Sequence, residues 1–189
     1  MSNNTSHETR IDTHISLIED ILAPWKEKLG PDFDGYKNHI YRMVHCCYAL
    51  MSSPVSQGDA RKVCIAACFH DIGLWVDDTL DYIPPSLPPA IKYLQENDLS
   101  NWTEEIQLMI SEHHKLTEYD DKTYPLVELF RRADLVDFSL GIVRAGLPRQ
   151  FIIELKATFP NAGFHRMLMR RSLRWFIRHP CNPAPMMKW

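Results

Sequence analysis

No stretch of this 189-residue sequence approaches the ~20 consecutive apolar residues of a membrane-spanning helix, so no membrane partner is expected. The first residues, MSNNTSHETR, lack the apolar run of a secretory signal, which makes cytoplasmic residence the expectation. No segment alternates apolar and polar residues as a half-buried strand would, and no repeat or low-complexity tract interrupts the chain. Strand-built and solenoid architectures are therefore not expected. The five cysteines are an odd number, and disulfides are not expected in the cytosol. Cys46, Cys47, Cys64 and Cys68 sit among apolar residues and read as small hydrophobes. The alternative use of Cys64 and Cys68, one helical turn apart, is a soft-metal site. Acid is the last scarcity: residues 144–189 hold one acidic residue against nine Lys and Arg, while residues 1–143 hold 23 against 12.

What is present is ordinary for a soluble domain with a substantial core: 45% apolar and 24% charged residues, with a net charge of −3. The basic C-terminal segment has several readings. It neutralises the acidic remainder of its own fold, or it meets nucleic acid, an acidic membrane surface or an anionic substrate.

Apolar residues recur at helical spacing almost throughout. Ile11, Ile15, Ile18 and Leu22 mark one helix, interrupted at Pro24; a second runs from Tyr36 to Met51. A third starts near Gln57–Asp59 and ends around His70–Asp71, with Gly73 as a stop signal. YIPPSLPP, residues 82–89, reads as a loop leading into a helix over Ala90–Glu96. Further helices are expected from Thr103 to His114, Pro125 to Asp137, Pro148 to about Thr158, and Ala162 or Gly163 to His179. The expectation is an all-α bundle of seven or eight helices over 11–180. A flexible N-terminus, 1–10, precedes it and an extended tail, 181–189, follows.

In CIAACFHDIGLWV, residues 64–76, His70 and Asp71 stand side by side in an apolar helical setting. Burying both costs several kcal/mol, roughly, unless something pairs with them. Three other segments offer the same kind of group: His39 in YKNHIYRMVH, His113 and His114 in ISEHHKL, and Asp134 in RRADLVD. Imidazole and carboxylate together suit borderline and hard divalent cations such as Mn, Fe, Co, Ni, Zn and Mg. One such ion among His39, His70, Asp71 and Asp134 would compensate all four. Taken singly, each His reads as a satisfied core residue, and Asp134 as the ion-pair partner of Arg131 or Lys122.

The order His, His-Asp, Asp, with the pair written HDIG, resembles the HD-domain metal-dependent phosphohydrolases. The resemblance covers about Tyr36 to Asp137. HIYRMVH is similar to that family's opening His-x-x-Arg-Val, and the Ala-Asp of RRADLVD to its last ligand. It implies a helical bundle in which His39, His70, Asp71 and Asp134 bind one divalent metal. His39, with Arg42 three residues on, is chosen over His45, which faces another side of the helix.

Family members that hold two metals, the di-iron oxygenases among them, place two further His ligands at separate points between the pair and the last Asp. Residues 72–112 contain no His here, and only the neighbours His113 and His114 remain. Adjacent helical residues diverge by about 100°, so one metal is expected in preference to two. His113 is then read as binding substrate or moving a proton, with His114, Lys115 and Arg42 beside it on an anionic, phosphorylated small molecule. Asp71 orients the attacking water. Arg170, Arg174 and Arg178 recur every fourth residue on one helix face, pairing with acidic residues or taking phosphate. No base-reading pattern suggests nucleic acid. The expected activity is hydrolysis of a phosphate ester, of a nucleotide or another small phosphorylated metabolite. The alternatives are an oxygenase of the same fold and a binding domain that the metal only stabilises. Oligomeric state is left open.

Overall fold

A computed structural model describes residues 11–51 and 54–188, so the N-terminus expected to be flexible lies outside the described residues. All ten α-helices described follow one another without a strand among the described residues. They are α1 Ser16–Leu22, α2 Lys26–Leu29, α3 Phe33–Leu50, α4 Gln57–Phe69 and α5 Gly73–Val76. After them come α6 Ile83–Glu96, α7 Thr103–Glu112, α8 Pro125–Phe138, α9 Arg149–Thr158 and α10 Phe164–Arg178. Seven of them, α3, α4 and α6 to α10, have ten residues or more. The all-α expectation holds. No helix among the described residues is long and apolar enough to cross a membrane.

The middle of the bundle is α3. Tyr36, Ile40, Met43, Val44 and Cys47 are all buried, and the helix lies most extensively along α8, with α4 on another side. Buried on more than one face, α3 carries its polar residues inward as well, and these build the site described below. Helix α7 closes the other side of the core, packing on α4, α6 and α8. Helix α4 opens with Ser56 as N-cap, its Oγ accepting the Asp59 N–H at 3.0 Å. All four apolar-context cysteines are buried and free, and burial raises each thiol pKa, as befits hydrophobic filling.

Local readings are corrected at three places. The first helix begins at Ser16 instead of Ile11. YIPPSLPP is not a loop, because α6 starts at Ile83 and takes the prolines into its first two turns. Pro84 and Pro85 occupy first-turn positions whose N–H groups have no intrahelical acceptor anyway, so only Pro88 and Pro89 forgo bonds. Gly73 begins α5 instead of ending α4. A Cβ there would lie 2.1 Å from the Tyr82 carbonyl oxygen, and the Gly73 N–H donates to Ser86 Oγ at 2.9 Å. Close approach of α5 to α6, not helix termination, is what demands glycine.

The C-terminal tail leaves α10 through turns and comes back to the body. The Leu116 N–H donates to the Lys188 carbonyl at 2.8 Å, and Lys188 Nζ reaches Glu112 Oε1 at the same distance. Lys188 therefore lies beside the segment that carries His113 and His114.

Candidate metal centre

Helix α3 supplies His39, the turn after α4 supplies His70 and Asp71, the end of α7 supplies His113 and His114, and α8 supplies Asp134. Ligand-capable atoms of His39, His70 and Asp71 all lie within 4.8 Å of one another. Those of Asp71, His113 and His114 form a second group of the same size. Asp71 belongs to both. Asp134 Oδ1 stands 3.6 Å from His39 Nε2 and 3.8 Å from His70 Nε2, within reach of the first group. The side chains of His39, His70, Asp71, His113 and Asp134 are at most 5% exposed.

The ring nitrogens facing away from the cluster are already occupied. His39 Nδ1 donates to Asp137 Oδ2 at 2.7 Å, His70 Nδ1 to the Ala67 carbonyl at 2.8 Å, and His113 Nδ1 to the Ile110 carbonyl at 2.6 Å. Each acceptor fixes the proton on Nδ1 and leaves a bare lone pair on Nε2. When both rings are neutral, His39 Nε2 and His70 Nε2 face each other at 3.0 Å without a proton between them. Asp71 Oδ1 and His113 Nε2 are buried with no hydrogen-bond partner, and 3.5 Å separates them. Unpaired lone pairs converging in a buried space are costly unless a cation shares them. The residues fit a divalent metal.

Burial and neighbouring charge shift these groups in different directions. Burial lowers the His39 pKa, outweighing the pull of Asp137; burial and the neighbouring His113 lower that of His114 far more. Neutral imidazole is the ligand form. For Asp71, burial acts upward, but positive charge at the His70 and His113 rings outweighs it and holds the carboxyl well below its usual range; with neutral rings a bound cation would supply that charge. Asp134 goes the other way, raised to about 8 by burial, with the charges of Asp71 and Asp137 adding to the rise.

Other expected residues fall differently. His45 stays out of the cluster, its Nε2 on the Asp12 carbonyl at 3.0 Å, so His39 is the residue brought to the site. Asp134 pairs with neither Arg131 nor Lys122; Arg131 is bound to Glu128 at 2.7 Å. Arg42 is not placed for a substrate. Its Nε and Nη2 grip Asp137 at 2.5 and 2.8 Å, and its Nη1 donates to the Phe159 carbonyl at 2.9 Å. Lys115 turns aside as well, with Nζ on the Glu118 carbonyl at 3.4 Å and over the Tyr119 ring. His113 is as buried as the other histidines and aims its bare Nε2 at Asp71, the pose of a ligand more than of a substrate contact.

The objection to a second ion is also corrected. It assumed that His113 and His114 are both helical, whereas α7 ends at Glu112. Past that end the two rings come to 4.1 Å between centroids, and both reach Asp71's group.

Two residues were not foreseen. Asp137 lies three residues after Asp134, one turn along the same helix, a spacing that marks a partner for His39. Tyr82, whose hydroxyl meets His114 Nε2 at 2.5 Å, carries no comparable signal in the sequence. With the proton of His114 on Nε2, Tyr82 accepts it and His114 Nδ1, 3.7 Å from Asp134 Oδ2, is bare.

No protein-family model matches the chain, and neither a curated protein nor a solved structure matches it significantly.

Proposed function

We propose that the chain is a metal-dependent hydrolase of phosphate esters, acting on a small anionic substrate. The observation that carries this reading is the convergence of three bare Nε2 atoms, from His39, His70 and His113, with Asp71 and Asp134 in one buried cluster. The order of these residues along the chain, with its resemblance to the HD-domain phosphohydrolases, supports the reaction type.

His39, His70, Asp71 and Asp134 would hold one divalent ion of the Mn, Fe, Co, Ni, Zn or Mg kind. Asp71, His113 and His114 would hold a second. Ions in these positions supply Lewis acidity toward a phosphoryl oxygen and acidify water. The protein's own groups do the rest. Asp71, which belongs to both ligand groups, would orient the attacking water between them. Asp137, held by Arg42, keeps the His39 proton on Nδ1. Tyr82 orients His114, whose side chain at 10% exposure is the most accessible of the cluster and marks the side from which substrate approaches.

A second reading is the oxygenase: the two groups that share Asp71 would supply ligands for two ions, which that chemistry needs. Burial of the ligands favours a third, in which the ion only stabilises the fold, since structural sites are closed. One assay separates the three. Phosphomonoesters and nucleotides are tested under strict anaerobiosis with Mn, Co or Mg, beside phosphonates and polyols with iron and oxygen. Phosphate release without oxygen is expected. Oxygen uptake coupled to substrate loss, with no anaerobic release, would replace the hydrolase by the oxygenase. Turnover in neither arm, with a metal that only raises the melting temperature, would leave the structural role.

A further inference from the structure

Helix α10 carries five arginines and no lysine or acid over residues 164–178. Four of them recur every fourth residue, Arg166, Arg170, Arg174 and Arg178, and their side chains make no hydrogen bond or ion pair with any described residue. Only Arg171 is paired, with Asp78 Oδ1 at 2.6 Å, and its second bond goes to the Leu74 carbonyl. Neutralisation by the acidic body therefore does not account for the stripe. Like charges four apart on a helix repel, and among the described residues no carboxylate forms an ion pair with these four.

The same arginines line one cavity of about 610 Å³, between α10 and the segments around Asp32 and Leu80. That volume is in the range of small-molecule sites. Trp175, stacked on His179 at 3.9 Å, forms one rim. The two carboxylates on the opposite wall are engaged, Asp78 by Arg171 and Asp32 by the Trp75 indole N–H at 3.0 Å. None of the metal-centre residues lines this groove.

We propose that the groove is an anion site for a soluble ligand bearing a chain of two or three phosphates, inorganic triphosphate or a nucleoside triphosphate. Guanidinium forks suit phosphate oxygens, and the use of Arg at every position favours directed bonds over a diffuse positive field. The spacing selects the length. Residues four apart rise about 6 Å, so Arg170 to Arg178 spans about 12 Å, which one phosphate does not bridge and a short chain does. The exposed apolar residues of α10, Met169, Leu173, Phe176 and Ile177, lie outside the cavity lining, so the groove is not the face a lipid bilayer would take.

The test is calorimetric titration of the full chain with sodium triphosphate, adenosine triphosphate and orthophosphate, in parallel with R170A/R174A and R170K/R174K. These side chains are exposed, and unchanged melting curves confirm that the variants fold. Saturable triphosphate binding is expected, weakened at least tenfold in R170A/R174A, partly restored in R170K/R174K, and weaker for orthophosphate. Chelation of a metal by triphosphate gives heat that persists in the arginine variants and so is told apart. Equal binding by wild type and R170A/R174A, or no saturable binding, would overturn the proposal. Binding seen only on phosphatidylserine vesicles, and lost in L173S/I177S, would overturn it in favour of a membrane-docking face. The readout is binding, not turnover, so its failure leaves the hydrolase reading where it stands.

Discussion

His39 Nε2 and His70 Nε2 stand 3.0 Å apart with both protons held on the far side of their rings, by Asp137 and the Ala67 carbonyl. Two lone pairs at that distance repel, and the fold holds them there in a space with almost no solvent. A cation turns the same geometry from a cost into a binding site. Chelation is therefore expected to lower the melting temperature. His39→Ala and His70→Ala should each lose bound metal and destabilise the fold, by about 3–5 kcal/mol if the remaining buried charges are left unpaired. His45→Ala, which removes a ring bonded to the Asp12 carbonyl, should keep its metal. Elemental analysis of the purified variants decides; loss of metal from His45→Ala alone would show the wrong first ligand.

Behind His39 stands a second pair. Asp137 receives the His39 N–H and both arms of Arg42, and those bonds hold its carboxyl below the ordinary range although burial acts the other way. Arg42 thus acts through another residue. Asp137→Asn weakens the hold on the His39 tautomer and should cost about 10–100-fold in metal affinity, the usual effect of such a partner. Arg42→Ala leaves the Asp137 carboxylate buried without its cation and should destabilise by about 3–5 kcal/mol. Competition against a metal-binding dye and urea denaturation measure the two effects. Wild-type metal affinity in Asp137→Asn would remove Asp137 from the site.

The helical architecture was legible because apolar spacing and N-terminal signals such as Pro125 act locally. His39, His70, Asp71 and Asp134 were legible because polar groups stand out in apolar helices. What escaped depends on contacts between distant segments. The prolines of 84–89 read as a loop because the sequence does not show that α5 packs against them, with Gly73 under the Tyr82 carbonyl. The roles of Arg42 and Lys115 were misjudged because proximity in sequence to a ligand says nothing about which carboxylate or carbonyl lies nearer. The end of α7 mattered most: a helix ending two residues earlier than expected brings His113 and His114 together.

Glu128 gives a pH test away from the cluster. It accepts both Arg131 arms at 2.7 Å and the Tyr119 N–H at 2.9 Å, while Arg131 also holds the Lys115 carbonyl. This ties α8 to the segment that follows His114. Burial pushes the Glu128 pKa upward, but the Arg131 and Tyr119 bonds outweigh it, and the net shift is below 4.5. A carboxyl with a lowered folded pKa contributes stability that is present above its unfolded value and lost as pH falls through the folded one. Glu128→Gln should therefore destabilise by about 1 kcal/mol at pH 7, a modest figure because the pair is partly solvated. The deficit should close between pH 4.5 and lower values as the wild-type carboxyl protonates. Urea denaturation of both proteins at pH 7 and pH 3.5 measures it; a deficit unchanged at low pH would mean that charge is not what Glu128 contributes.

The number of ions rests on His113 and His114. Both rings sit past the end of α7, 4.1 Å apart, and both bring a nitrogen to Asp71. If the two ligand groups act as separate sites sharing that carboxylate, removal of either ring should unload one site and spare the other, because His39, His70 and Asp134 remain. His113→Ala and His114→Ala are each expected to retain about half the metal of the wild type, against near-complete loss in Asp71→Ala, which belongs to both groups. Turnover should fall in all three, and most of the stability of the His39 side should survive in the first two. Tyr82→Phe adds a finer check. It removes the hydroxyl bonded to His114 Nε2, so it should weaken the second site alone, by about 10–100-fold in affinity. Metal content per chain, measured over a titration, reads all four variants. One ion in the wild type, unaltered by His113→Ala and His114→Ala, would return the centre to a single metal held by His39, His70, Asp71 and Asp134.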